Sequence, residues 1–274
     1  MISNPLGTIE YQENGFGQTI VLVPGSFSTG ASWRSISTPL CERYRTVTTS
    51  LSGYGKTQER REPEGRHAED EMDVLEAVLQ QTNAPVHLVA HSYGALVSLI
   101  SAMRRPVKLL SLTLLEPTVF DLLALCNESE LNQEVHALVD RYTQEWISGN
   151  HMAVRGIIDF YGGPRTFDSY PDPVKEKLIS HTATNILDWQ TAFASAVSIA
   201  EIATIKVPTL VVCGGTSHMA MKRSNELLVD HLPYSDLRML EGANHFMIGT
   251  HAEELAAIIE GFISRQGRTG AGGV

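Results

Sequence analysis

The chain's strongest constraint on its own fold is a rhythm of short apolar runs. Each run is closed by a turn signal, and helical patterns lie between them. Thr19-Ile20-Val21-Leu22-Val23 ends in Pro24-Gly25, and Tyr44-Arg45-Thr46-Val47-Thr48 leads to Leu51-Ser52-Gly53-Tyr54-Gly55. The run from Val86 to Ala90 ends at Ser92, and Leu110 to Leu115 ends at Glu116-Pro117. Thr209 to Cys213 ends in Gly214-Gly215, and Asp236 to Leu240 ends in Glu241-Gly242. Runs this short and this apolar fit strands buried on both faces, as in a parallel sheet. Between them, Met72, Leu75, Val78 and Leu79 fall on one face of a helix over Glu69–Gln81, and Lys222–Leu232 and Ala252–Ser264 behave alike. Strand and helix in alternation predict an α/β fold, a doubly wound, mostly parallel sheet.

The rhythm breaks between Val119 and Thr204, where only helical patterns appear: Glu130–Ile147, Ala153–Phe160, Pro173–His181 and Asn185–Ile199, interrupted by Tyr161-Gly162-Gly163-Pro164. The expected organisation is a core in two parts, 1–118 and 204–265, with a helical insertion at 119–203. The glycine-rich tail from Gln266 to Val274 is expected to be disordered.

Composition narrows the function. A formal net charge of -10 over 274 residues, with scattered Lys and Arg, argues against nucleic-acid or anionic-membrane partners. No apolar run reaches the roughly 18 residues that a membrane span needs. The N-terminus has no basic start followed by an apolar stretch, so a cytoplasmic protein is the default expectation. Cys41, Cys126 and Cys213 have no metal-ligand or redox spacing, and Cys213 reads as a small buried hydrophobe. No H-E-x-x-H or phosphate-loop pattern is present, so neither a metal nor a cofactor is expected. The carboxylates Glu69, Asp70, Glu71 and Asp73 read as a solvated first helical turn, favoured by the helix dipole.

Chemistry points to Ala90-His91-Ser92-Tyr93-Gly94. A strand, a sharp turn with serine at its apex and a following helix form the context of a nucleophile elbow, with Ala90 where glycine is usual. The bland alternative is Ser92 as a helix N-cap. A serine nucleophile needs a base. His245 stands out in Glu241-Gly242-Ala243-Asn244-His245-Phe246, between the last strand and the last helix, with His218 and His251 as fallbacks. His91 flanks the serine but is expected to point elsewhere. The N–H groups of Ser26, after Val23-Pro24-Gly25, and of Tyr93, after the serine, are the candidate oxyanion donors. Aromatic residues concentrated in the insertion, among them Trp146, Phe160, Tyr161, Tyr170 and Trp189, could line a pocket for an apolar or aromatic small-molecule substrate.

The ordered set VLVPGSFSTGASW, LSGYG, VHLVAHSYGA, PTLVVCGG and EGANHF resembles the α/β-hydrolase superfamily across nearly the whole chain. The segment PGSFSTGASW is similar to a stretch of its esterase and hydroxynitrile-lyase branches, with Pro24 in place of histidine. The resemblance implies a Ser-acid-His triad with Ser92 and His245, and a cap inserted after the sixth strand. It also exposes a departure, because Ser217 fills the slot where most members carry the acid. Some families carry it one strand earlier, which makes Glu116 the candidate here, with an acid-free dyad as the alternative. The reading is a serine hydrolase of small esters, thioesters or lactones. A lyase or cofactor-free oxygenase using His245 as base stays open, as does a non-catalytic ligand-binding member.

Overall fold

The computed structural model describes residues 1–4, 7–62 and 67–269. Nine strands occur among them: β1 (Ile2–Asn4), β2 (Gly7–Ile9), β3 (Tyr11–Asn14), β4 (Thr19–Val23), β5 (Arg45–Thr49), β6 (Val86–His91), β7 (Leu109–Leu115), β8 (Thr209–Gly214) and β9 (Ser235–Leu240). β1 and β2 pair as a small antiparallel sheet, and the other seven form one sheet in the order β3-β5-β4-β6-β7-β8-β9. Only β3 runs antiparallel to its neighbour, so the sheet is mostly parallel.

Helices cover both faces. They are α1 (Arg34–Leu40), α2 (His67–Thr82) and α3 (Ser92–Arg104), then α4 (Asp121–Leu125), α5 (Ser129–Ile147), α6 (Val154–Gly162), α7 (Thr166–Ser169), α8 (Asp172–Ser180), α9 (Thr182–Ala194) and α10 (Ile199–Ile202). After β8 come α11 (Met219–His231), α12 (Met247–Thr250) and α13 (Ala252–Thr269). The side-chain alternation of a strand divides the core in two. Val21, Val23, Leu88 and Leu112 join one cluster with α2 and α3, while Ile20, Leu22, Val89, Leu115 and Val212 join another with α1 and α13.

Several sequence expectations shift. β9 lies at the sheet's edge and is largely exposed, with Leu237 at 38% exposure, so it is not a strand buried on both faces. β1, β2 and β3 carry too few apolar residues to signal themselves. Tyr161 and Gly162 belong to α6 rather than to an interruption, and Gly163 ends that helix with φ 94°. α9 stops at Ala194, short of Ile199. α13 runs on to Thr269, past Gln266 where the disordered tail was expected to begin, while residues 270–274 of that tail lie outside the described ones. Among the described residues no helix is long and apolar enough to cross a membrane.

Strand register sets up the site. Val23 pairs with Ala90, His91 with Leu115, Leu115 with Val212 and Gly214 with Leu240. The loops after β4, β6, β7, β8 and β9 therefore leave one edge of the sheet side by side, where ligands of open α/β sheets bind.

Candidate active site

Ser92 sits at the junction of β6 and α3 with φ 56°, a left-handed conformation uncommon for a residue with a Cβ. Its neighbours must be small for this turn to close. A Cβ on Gly94 would come within 2.2 Å of the Pro24 carbonyl oxygen, and one on Gly25 within 2.6 Å of Ser92 Cβ. Ala90 is fully buried in the strand before the turn.

Three sequence-predicted residues meet here. His245 Nε2 lies 2.8 Å from Ser92 Oγ, and His245 Nδ1 lies 2.7 Å from Glu116 Oε2. All three are at most 4% exposed. With the carboxylate accepting from Nδ1–H, Nε2 is left to accept the serine proton, the protonation pattern a nucleophile–base pair needs. Glu116, at the end of β7, adopts φ 45°. Its other oxygen accepts from the Gly214 N–H at 2.7 Å and from the Cys213 thiol at 3.3 Å. Burial pushes the Glu116 carboxyl up, but the hydrogen bond and charge of His245, with help from Ser217 and Gly214, outweigh it and hold the group below its usual range. Cys213 is thus more than an apolar filler. Burial and the adjacent Glu116 charge raise its thiol well above the ordinary value, so it remains a donor.

Ser217, at the slot where an acid was absent from the sequence, is 5% exposed with its hydroxyl near Glu116 but without a well-aligned hydrogen bond. His218 instead caps α11, donor and acceptor to neither Ser92 nor Glu116, with Nε2 3.4 Å from Glu134. His251 hydrogen-bonds Thr250 away from the serine.

His91 corrects an expectation. It does not contact the serine–histidine hydrogen bond, yet it does not turn away either. Its Nε2–H donates to the His245 carbonyl oxygen at 2.9 Å, and its ring packs against that of His245 at 4.7 Å. Burial, reinforced by the His245 charge, pushes His91 down to about 3, so it stays neutral. Tyr161 from α6 also stacks on the His245 ring, at 4.2 Å with an interplanar angle of 15°. The His245 imidazole thus packs against both an elbow residue and a residue of the helical stretch.

Tyr93 is the second residue of α3, so its N–H lies in the first turn, where no intrahelical acceptor exists. Ser26 lies in the loop after β4 that Gly25 brings against Ser92. A pocket of about 350 Å³ opens over Ser92 and His245. Its apolar walls include Phe27, Ile158, Tyr170, Val174, Leu178 and Ile248. This is toward the small end of the usual range for ligand pockets, roughly 300–1,000 Å³.

Sequence reasoning missed a buried polar cluster beside the site. Arg61 is 4% exposed and contacts Asp188, Glu71 and Glu59, with its Nη1 2.5 Å from Asp188 Oδ1 and 3.2 Å from Glu71 Oε1. Glu71 is fully buried and accepts from the Ser52 N–H and hydroxyl, and because α2 begins at His67 it lies just past the first turn, so the acidic stretch is not solvated throughout. The available signal was a charged residue, Asp188, placed between Ile186 and Trp189 on an otherwise uncharged helix.

A profile of the alpha/beta hydrolase family matches residues 20–258. The chain is 32% identical over 99 residues to a pimeloyl-[acyl-carrier protein] methyl ester esterase of Aliivibrio fischeri, 36% of each chain. It spans about half or less of the length of such curated relatives. Among solved structures it is similar to an esterase from Exiguobacterium antarcticum, with TM-score 0.73, 18% identity and coverage of 96% and 98% of the two chains. It is also similar to MenH from S. aureus, with TM-score 0.75, 16% identity and coverage of 94% and 98%. The matched span runs from β4 into α13 and encloses every residue of the Ser92–His245–Glu116 chain, and on that extent the protein belongs to the α/β hydrolase family.

Proposed function

We propose that the protein is a serine hydrolase that cleaves a small ester, thioester or lactone through an acyl-enzyme on Ser92. The observation that carries this reading is the continuous hydrogen-bond chain from Ser92 Oγ through both ring nitrogens of His245 to Glu116. Ser92 Oγ attacks the substrate carbonyl carbon while its proton passes to His245 Nε2. The carbonyl electron pair moves onto oxygen, which the N–H groups of Ser26 and Tyr93 receive. Collapse expels the alcohol or thiol, which takes the proton from His245, and water releases the acid by the same route. Glu116 holds the imidazole in its Nδ1–H tautomer and balances the imidazolium charge.

Helices α4–α10 act in this reading as a cap whose Ile158, Tyr161, Tyr170, Val174 and Leu178 favour an apolar or aromatic substrate. The relative from Aliivibrio fischeri, named as a methyl ester esterase, supports ester chemistry. Ser92→Ala is expected to abolish hydrolysis of p-nitrophenyl acetate. A fluorophosphonate probe is expected to add one adduct mass to the wild type and none to that variant. A wild type that resists the probe but still converts substrate would instead favour lyase or oxygenase chemistry with His245 as base.

A further inference from the structure

Asp188 is a charged residue on α9 with 2% exposure, and its carboxylate reaches out of the helical layer to the loop after β4. Asp188 Oδ2 accepts from Ser26 Oγ at 2.5 Å and from Tyr54 OH at 2.6 Å. The Tyr54 hydroxyl in turn faces the Phe27 N–H. One loop residue is therefore tied directly to a carboxylate oxygen, and the backbone of the next lies beside the phenol that donates to that same oxygen. The loop needs such a hold. Phe27 has φ 58°, a conformation costly for an aromatic residue, and Gly25 carries no side chain that could fix its position against Ser92.

The charge of Asp188 is balanced where it lies. Arg61 Nη1 meets Asp188 Oδ1, while the same guanidinium contacts Glu59, the Ser52 carbonyl oxygen and the Tyr93 hydroxyl. Burial raises the Tyr54 hydroxyl well above the ordinary phenol value, with the Asp188 charge adding to it, so Tyr54 remains a donor to the carboxylate. Charge-assisted hydrogen bonds of this kind are short and directional.

We infer that Asp188 is a positioning residue that fixes the Ser26–Phe27 segment, and with it the Ser26 N–H, for the oxyanion. The inference rests on the reading of Ser92 as an acyl-transfer nucleophile. It makes the helical stretch part of the catalytic geometry rather than only a cover over the pocket. Asp188 need not touch substrate to do this.

The test compares Asp188→Asn, Ser26→Ala and Tyr54→Phe with the wild type. Asp188→Asn is expected to lower kcat on p-nitrophenyl butyrate about tenfold or more at a KM within about twofold, with smaller losses of the same kind in the other two. Affinity for butylboronic acid, whose tetrahedral adduct needs the oxyanion donors, is expected to fall by the same factor as kcat. Amide hydrogen exchange across residues 25–28 is expected to speed up in each variant. Should Asp188→Asn fail to fold, the two single-hydroxyl variants carry the same comparison. Unchanged kcat and boronate affinity in folded variants would overturn the inference and leave the hydrolase reading intact, as would a raised KM at constant kcat. A wild type inert to esters and to the boronate would overturn the hydrolase reading and the oxyanion role together. The exchange rates would then still report whether Asp188 holds the loop.

Discussion

Glu116 Oε2 lies 2.7 Å from His245 Nδ1, although the two residues leave the sheet from strands that are not neighbours. β8 runs between β7 and β9, and its last residues, Cys213 and Gly214, present a thiol and an N–H to the second Glu116 oxygen. The longer glutamate side chain, starting from a backbone with φ 45°, spans the width that a shorter acid on β8 would not need to cross. An acid carried one strand inward thus reaches the same imidazole nitrogen, with its remaining oxygen fully bonded.

Glu116→Gln is expected to keep the fold and lower kcat by about 10²–10⁴-fold with little change in KM, because the amide can hold the imidazole but not balance its charge. Steady-state kinetics on p-nitrophenyl esters, beside an unchanged circular dichroism spectrum, measure this. Wild-type turnover by the variant would remove Glu116 from the mechanism.

Ser217 offers a complementary experiment. Its hydroxyl lies near Glu116 without a well-aligned partner, on the β8 side of the carboxylate. In the Glu116→Gln background, Ser217→Asp is expected to recover at least about tenfold of the lost kcat by supplying the charge from β8. In the wild-type background the same substitution sets two buried carboxylates together, and a decrease is expected. No recovery in the Glu116→Gln background would mean that the Ser217 position cannot address His245.

The parallel core and the Ser92 and His245 positions were legible because each followed from a local pattern: an apolar run, a turn signal, a residue type at the strand's end. Glu116 came forward only through the resemblance, as an acid carried one strand earlier than Ser217. What escaped depended on contacts between distant segments. Asp188 and Arg61 lie 127 residues apart, and no local pattern pairs them. Glu71 looks like any acidic residue in a first helical turn, and only the packing of α2 beneath the Ser52 loop buries it. His91 was expected to point elsewhere because it merely flanks the serine, yet its ring bonds to the His245 backbone across 154 residues. β3 was hidden because its sequence, Tyr11-Gln12-Glu13-Asn14, is polar and its partner β5 supplies the register.

The elbow's small residues are not equivalent. Gly94→Ala drives a Cβ to 2.2 Å from backbone at Pro24, which cannot give way cheaply, and is expected to destabilise by about 1–3 kcal/mol and to reduce activity sharply. Ala90→Gly restores the commoner motif but weakens a fully buried strand position, at about 0.5–1 kcal/mol of stability and with turnover within about twofold of wild type. Urea unfolding and esterase assays of the two variants test the contrast. A large gain in turnover from Ala90→Gly would mean that the alanine limits the nucleophile.

Glu71 makes stability depend on pH. Burial pushes its carboxyl up to about 7, the Arg61 guanidinium opposes this, and the charges of Asp188 and Glu59 add to it. The folded protein therefore holds this proton more tightly than the unfolded chain, whose ordinary value is 4.5. The stabilisation is fully present below the unfolded value and is lost as pH rises through about 7. The difference amounts to about 2–3 kcal/mol between mildly acidic and alkaline solution. Glu71→Gln keeps a neutral acceptor for the Ser52 N–H and hydroxyl, so its melting temperature is expected to stay near wild type at pH 5 and to exceed it at pH 8.5. Parallel melting curves for the two proteins across that range would mean that Arg61 keeps Glu71 ionised throughout, and that the buried cluster carries its full negative charge at every pH.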